Sequence, residues 1–172
     1  MRVAVLTVSD RASAGVYEDH SGPALVDYLS QRLSSEIVAT GVVPDDRDRI
    51  SGQLRAWCDG AGIDLIVTTG GTGVAPRDIT PEATADVIER EVPGLAEAMR
   101  AASRDITPYG MLSRGRVGIR GQTLIINLPG SPKGAVENLR VIAPVLPHAI
   151  ALLREESGDH ASHHFPHHHV TA

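Results

Sequence analysis

Residues 63–73 read IDLIVTTGGTG, and this stretch decides the fold. IDLIVTT (63–69) is close to continuous in aliphatic and β-branched character, the composition of a strand covered on both faces rather than one that alternates between core and water. It runs straight into Gly70-Gly71-Thr72-Gly73. A strand buried on both faces needs a layer of helices above and below it, and the loop at its carboxyl end is where an open α/β sheet binds ligands.

Working outward, RVAVLTV (2–8) repeats the pattern and ends at the polar Ser9-Asp10-Arg11, and residues 36–43 form another apolar run closed by Pro44. Between them Ser21-Gly22-Pro23 offers a hydroxyl cap and an early-turn proline to a helix carrying Leu25, Tyr28, Leu29 and Leu33 at helical spacing. Ile50, Leu54 and Trp57 mark a second helix, up to Gly60. Thr80-Pro81-Glu82 starts a third with a hydroxyl cap and a first-turn proline, and Pro93 opens a fourth around Leu95 and Met99. RVGIR and QTLIINL within 116–128, separated by Gly121, suggest a hairpin. Residues of roughly 135–154 supply the last helices. The alternation predicts an α/β three-layer sandwich, a mostly parallel central sheet flanked by helices on both faces, as one domain over 1–157. Residues 158–172 turn polar and His-rich and lose periodicity, so a mobile tail is expected there.

The 172 residues suffice for one substantial core, and 42% hydrophobic with 22% charged residues excludes a fibrous or disordered body. Aromatics make up 3%, which gives base stacking little to work with. A net charge of −5 without a Lys/Arg block excludes a nucleic-acid surface, and no apolar run approaches the ~20 residues of a membrane span. Cys58 has no partner for a disulfide, and Met1 leads into a strand rather than a leader pattern, so a cytoplasmic setting is expected.

The loops after the strands carry the candidate chemistry. Thr69 to Gly73 lets backbone amides approach a phosphate without Cβ obstruction, although neither GxxxxGK[ST] nor GxGxxG is present and an ordinary tight turn uses the same residues. Asp78 follows that loop, and Asp45 follows the run at 36–43. Two carboxylates on crevice loops suit Mg²⁺ completed by nucleotide phosphates, with an Asp78–Arg77 ion pair and a solvated turn at Asp45 as alternatives. LPGSPKG (128–134) puts Ser131 and Lys133 near a helix start, either as an anion pocket or as a stiff connection with an exposed lysine. Ser113-Arg114 offers an anion clamp or a surface ion pair. The histidines beyond residue 158 lack the spacing of a closed metal site.

Taken together, TVSDRASAGVYEDHSGPAL (7–25), VVPDD (42–46), TTGGTGVAPRDITPEAT (68–84), VPGLAEAMR (92–100), LSRGRVGIRG (112–121) and LIINLPGSPKGA (124–135) resemble the MogA/MoaB family of molybdenum cofactor biosynthesis proteins. The resemblance implies adenylylation of molybdopterin by Mg-ATP with loss of pyrophosphate, and a homo-oligomer, a trimer or hexamer. It implies Asp45 and Asp78 as catalytic and Mg²⁺-binding residues. It further implies substrate contacts from Ser9, Thr69, Gly70, Gly71, Thr72, Gly73, Ser113, Asn127, Pro129, Gly130, Ser131 and Lys133. The alternative within the resemblance is a non-catalytic molybdopterin carrier or scaffold of the MoaB kind.

Overall fold

A computed structural model describes residues 1–60 and 62–154, so the expectation of a mobile His-rich tail lies outside the described residues. The strands are β1 (Arg2–Val8), β2 (Glu36–Val43), β3 (Leu65–Thr69), β4 (Arg90–Glu91), β5 (Val117–Arg120) and β6 (Thr123–Leu128). The helices are α1 (Asp10–Ser13), α2 (Ser21–Arg32), α3 (Arg47–Gly60), α4 (Thr80–Ala85), α5 (Pro93–Ile106), α6 (Pro132–Ile142) and α7 (Leu146–Arg154). The strands form one sheet in the order β2-β1-β3-β6-β5-β4. β1, β2, β3 and β6 run parallel, while β5 turns back into β6 through Gly121-Gln122 and β4 pairs antiparallel with β5.

Side chains alternate across β1 and divide the core into two layers. Val3 and Val5, with Leu65, Val67, Leu124 and Ile126, pack against Leu25 and Leu29 of α2, Met99 of α5, Leu139 of α6 and Ile150 of α7. Ala4 and Leu6, with Ile66 and Ile125, pack against Ile50 and Leu54 of α3 and Ala83 of α4. Each such Leu, Ile or Val contributes about 1.5–3 kcal/mol by leaving water. The near-continuous apolar runs are therefore the signature of both layers, and the α/β sandwich is as the sequence predicts.

Several local expectations need correction. Ser21 is not the cap of α2 but its first residue; Asp19 satisfies the helix start by accepting from the Ser21 and Gly22 amides at 3.0 Å each. Thr80 likewise lies inside α4, because its hydroxyl is turned to the carbonyl of Gly70 at 2.9 Å. β3 begins at Leu65 and not at 63; Asp64 just before it still bonds Arg2 O and Leu124 N through its backbone, while its carboxylate accepts from the Arg2 amide and the Arg154 guanidinium. The helical stretch Pro132–Arg154 is, by length and composition, apolar enough to cross a membrane, which the sequence reading did not anticipate. It comprises α6, a 3₁₀ turn and α7, and Leu139, Ile142, Leu146 and Ile150 on it belong to the core.

Candidate active site

The carboxyl ends of β1, β3 and β6 are tied to one another by their loops. Gly70 donates its amide to Leu128 O at 3.2 Å, and Thr69 donates its hydroxyl to Pro129 O at 2.7 Å. A Cβ added at Gly70, where φ is +103°, would fall less than 3.0 Å from the Val8 carbonyl oxygen, so the loop lies directly on the end of β1. Ser9 caps α1 by accepting from Ala12 N at 3.2 Å.

Aspartates enter this junction from three sides. Asp10 and Asp45 exchange backbone-to-carboxylate bonds, Asp10 N to Asp45 Oδ2 at 2.9 Å and Asp45 N to Asp10 Oδ1 at 3.0 Å, which fixes the loop after β2 against the loop after β1. The other Asp45 oxygen, Oδ1, stands 2.9 Å from where a Gly71 Cβ would be, and Asp78 Oδ2 stands 2.8 Å from the corresponding point at Gly73. The glycines make room for carboxylates as well as for a ligand. Burial pushes the Asp45 carboxyl above the usual carboxylate range, and the like charges of Asp10 and Asp78 push the same way against the Asp10 amide and Arg77. The bidentate Arg77 guanidinium, at 2.8–2.9 Å, holds Asp10 below that range. The Asp78–Arg77 pair, the alternative reading of Asp78, is thus not formed. Arg77 goes to Asp10, and Asp78 accepts instead from the Ala75 amide at 2.9 Å.

Two cavities meet here and share Gly71, Asp78 and Gly130. One, of about 250 Å³, has Ser9, Tyr17, Asp45, Thr69 and Gly70 on its walls. The other, of about 450 Å³, is walled by Thr72, Gly73, Tyr109, Ser113, Pro129 and Ser131, with Ile106 and Leu112 at its apolar side. Most of the residues singled out in the sequence are therefore brought together. Two are not. Asn127 lines neither cavity: its amide donates to Thr68 and Thr84 hydroxyls at 3.0 and 2.9 Å and accepts from the Arg116 amide at 3.2 Å, an internal brace between β6 and α4. Lys133, 84% exposed, points to Glu137 on its own helix at 3.8 Å, and only Ser131 of that pair stays at the wall, capping α6.

The sequence reading missed Tyr17 and Tyr109, one in each cavity, despite the scarcity of aromatics. It also missed the role of Asp10, whose partners lie 35 and 67 residues away. Arg114 is neither an anion clamp nor a plain surface pair; its guanidinium binds Glu82 and two backbone carbonyls of the glycine loop.

No group of three or more His, Cys, Asp or Glu side chains positioned to hold a metal occurs among the described residues. The donor set instead suits a hard cation carried in by a ligand. Mg²⁺ takes one or two carboxylates plus phosphate oxygens and water rather than an all-protein cage. Asp45 and Asp78 on one cavity wall, with mutual repulsion that a cation would relieve, fit that requirement.

The profile of the family described as "Probable molybdopterin binding domain" matches residues 4–148. The chain belongs to this family. A relative from Helicobacter pylori strain J99 named molybdopterin adenylyltransferase is 47% identical over 154 residues, 89% of this chain and 88% of the relative. Escherichia coli K12 has a relative of the same name, 44% identical over 140 residues, 81% of this chain and 72% of the relative. Among solved structures, the molybdopterin biosynthesis enzyme MoaB from Thermus thermophilus superposes with a TM-score of 0.84 at 52% identity, over 88% of this chain and 95% of that one. The matched region of the family spans all six strands from Ala4 onward and both cavities.

Proposed function

We propose that this chain is a nucleotidyltransferase of molybdenum cofactor biosynthesis that adenylylates molybdopterin with Mg-ATP. The observation that carries the reading is the position of Asp78 and Gly71 on the wall common to two cavities, with Asp45 reaching Gly71 from the loop after β2. A reaction between two bound substrates needs such a shared wall, because holding them in contact replaces an encounter in solution. The names of the relatives at 44% and 47% identity support the same chemistry.

In this reading the terminal phosphate oxygen of the pterin attacks the α-phosphorus of ATP. A new P–O bond forms, the bond from the α-phosphorus to the bridging oxygen breaks, and the electron pair leaves with pyrophosphate. Asp45 and Asp78 would hold Mg²⁺, which when bound would supply charge neutralisation for the phosphates. Backbone amides of Gly71 to Gly73 orient the phosphate chain, the Gly70 amide being taken by Leu128 O, and Ser9, Ser113 and Ser131 offer hydroxyls along the walls. Thr69 acts by holding the two loops together through its bond to Pro129 O. Trimeric assembly and a cytoplasmic setting belong to the same proposal, and sedimentation velocity checks the former.

The test mixes the protein with molybdopterin, Mg²⁺ and labelled ATP and follows adenylylated pterin and pyrophosphate. Asp78→Asn is expected to lower turnover by ~10²–10³-fold, the usual cost of losing one charge-stabilising group, with pterin affinity largely kept. Unchanged turnover in that variant removes the assigned role. Pterin binding without any transfer in the wild type replaces the enzyme by a carrier.

A further inference from the structure

Arg114 gathers the backbone carbonyls of the glycine loop from behind. Its amide donates to Thr72 O at 2.8 Å, its Nε to Gly73 O at 2.6 Å and one Nη to Asp78 O at 2.6 Å, while the other Nη pairs with Glu82 Oε1. It lines neither of the two ligand cavities. It belongs instead to a cleft of about 310 Å³ between α5 and β5, walled by Pro93, Arg100 and Gly115. The second Glu82 oxygen is buried without a hydrogen-bond partner. A carboxylate is retained there at the cost of an unsatisfied oxygen, which makes the orientation of the guanidinium the quantity being held.

The consequence for the cavity side follows from peptide geometry. Each carbonyl drawn to the rear is a lone pair removed from the phosphate side, and fixing the carbonyls at Thr72, Gly73 and Asp78 fixes both ends of the segment between them. That segment contains the Ala75 amide, the donor to the Asp78 carboxylate. Arg is suited to this task because its planar fork presents several donors in a fixed relation, whereas Lys is a single point on a flexible stem.

We infer that Arg114, oriented by Glu82, is the positioning residue that sets the phosphate-facing side of loop 70–78 and the aim of Asp78, without itself touching either substrate. The inference rests on the adenylyltransferase reading for its kinetic arm only. In that arm Arg114→Ala lowers kcat at saturating substrates by about 10–100-fold, as displacements of ~1 Å at a reacting centre do, and raises the Mg²⁺ concentration needed for half-activity severalfold. With the pterin in the larger cavity, its KM stays within about threefold, because Ser113, Ser131 and Tyr109 line that cavity without Arg114. Arg114→Lys recovers the fold but only a minor part of kcat, and Glu82→Gln gives an intermediate loss.

The second arm needs no turnover. Amide hydrogen exchange at residues 71–78 is expected to accelerate in Arg114→Ala while the amides of β1, β3 and β6 keep wild-type protection. Wild-type kcat and Mg²⁺ dependence in Arg114→Ala, or exchange at 71–78 as slow as in the wild type, overturns the inference. Acceleration spread evenly through the sheet, with pterin KM and kcat lost in parallel, overturns it too, since Arg114 would then be a general stabiliser. If the wild type turns over no ATP yet exchange at 71–78 responds locally to Arg114→Ala, the positioning role stands and the adenylyltransferase reading falls.

Discussion

Replacing Gly70 by Ala tests the geometry of the strand junction more sharply than any charge change. Gly70 has φ +103°, outside the region any side chain occupies comfortably, and its added Cβ would fall less than 3.0 Å from the Val8 carbonyl oxygen, a backbone atom in the sheet. The conformational strain is of order 1–3 kcal/mol, and forcing atoms into a packed site adds about 1–3 kcal/mol, so a loss of ~3–5 kcal/mol is expected. Gly121 is the internal control: φ is also positive, at +55°, but nothing lies within 4 Å of its added Cβ. Gly121→Ala should cost about 1 kcal/mol, the left-handed penalty alone. With a urea slope near 2 kcal/mol/M, the midpoints of the two variants should differ by about 1–2 M in parallel titrations followed by circular dichroism. A difference under 0.5 M would mean that the loop yields freely over β1, and the pinned junction described above would be wrong. Because Gly70 O also accepts the Thr80 hydroxyl, a shifted loop would carry α4 with it, and substrate affinity should fall alongside stability.

The remaining expectations are narrower. Asp45 has a raised native carboxyl, so the ionised form is disfavoured in the fold; its contribution to stability is greatest below the ordinary carboxylate range and falls as pH rises through the native value. Asp45→Asn should therefore melt above the wild type at pH 7 without Mg²⁺, and the gap should close as pH drops toward 4; a lower melting temperature at pH 7 refutes the repulsion argument. Asn127→Ala should destabilise by about 2–3 kcal/mol, leaving Thr68 and Thr84 hydroxyls unpaired, while ligand dissociation constants measured on the folded protein stay within twofold. Burial pushes the Cys58 thiol up to about 11, so at pH 8 only about 0.1% is thiolate, and iodoacetamide labelling should be slow until denaturant is added. Lys133→Ala should shift stability by less than 0.5 kcal/mol, as removal of an exposed i,i+4 pair does, and a tenfold loss of ligand affinity would restore it to the site.

What could be read in advance depended on whether a signal was local. β1 and β3 were legible because strands buried on both faces need long aliphatic runs, β2 because its apolar run is closed by Pro44 even though it is an edge strand with no fully buried residue, and the hairpin because Gly121 sits where its turn demands a positive φ. β4 was not, since Arg90–Glu91 is two exposed charged residues whose only strand character is pairing with Ile119 and Gly118. The helix starts at Ser21 and Thr80 went wrong by one residue for different reasons: Asp19, two residues upstream, takes the amides that a Ser21 cap would have taken, and the Gly70 carbonyl, ten residues away, claims the Thr80 hydroxyl. At the crevice, the placing of Asp45, Asp78 and the glycines together was legible from the loops that carry them. Asn127 was misread because it sits on a family motif while its side chain faces α4, and the roles of Asp10 and Arg114 depend on partners that only the folded chain brings near.

The charge balance of the crevice bears on the proposed chemistry in a way that no single residue does. Asp10, Asp45 and Asp78 act on one another across the junction, and Arg77 answers with one positive charge that Asp10 already occupies in bidentate fashion. A triphosphate entering alone would add several negative charges to a wall that is negative before it arrives, at separations where ion interactions in a partly buried site reach several kcal/mol. The loop amides offset part of this, but they are present for any anion and do not distinguish a nucleotide from inorganic phosphate. On the proposed chemistry, a divalent cation between the carboxylates and the phosphates would turn that repulsion into attraction, and the arrangement would select for the metal complex of the nucleotide over the free nucleotide. The same proposal accounts for an anion site on an acidic protein without a basic patch: the positive charge would travel with the ligand, and the aspartates that would repel a bare phosphate would be the groups that recognise its complex.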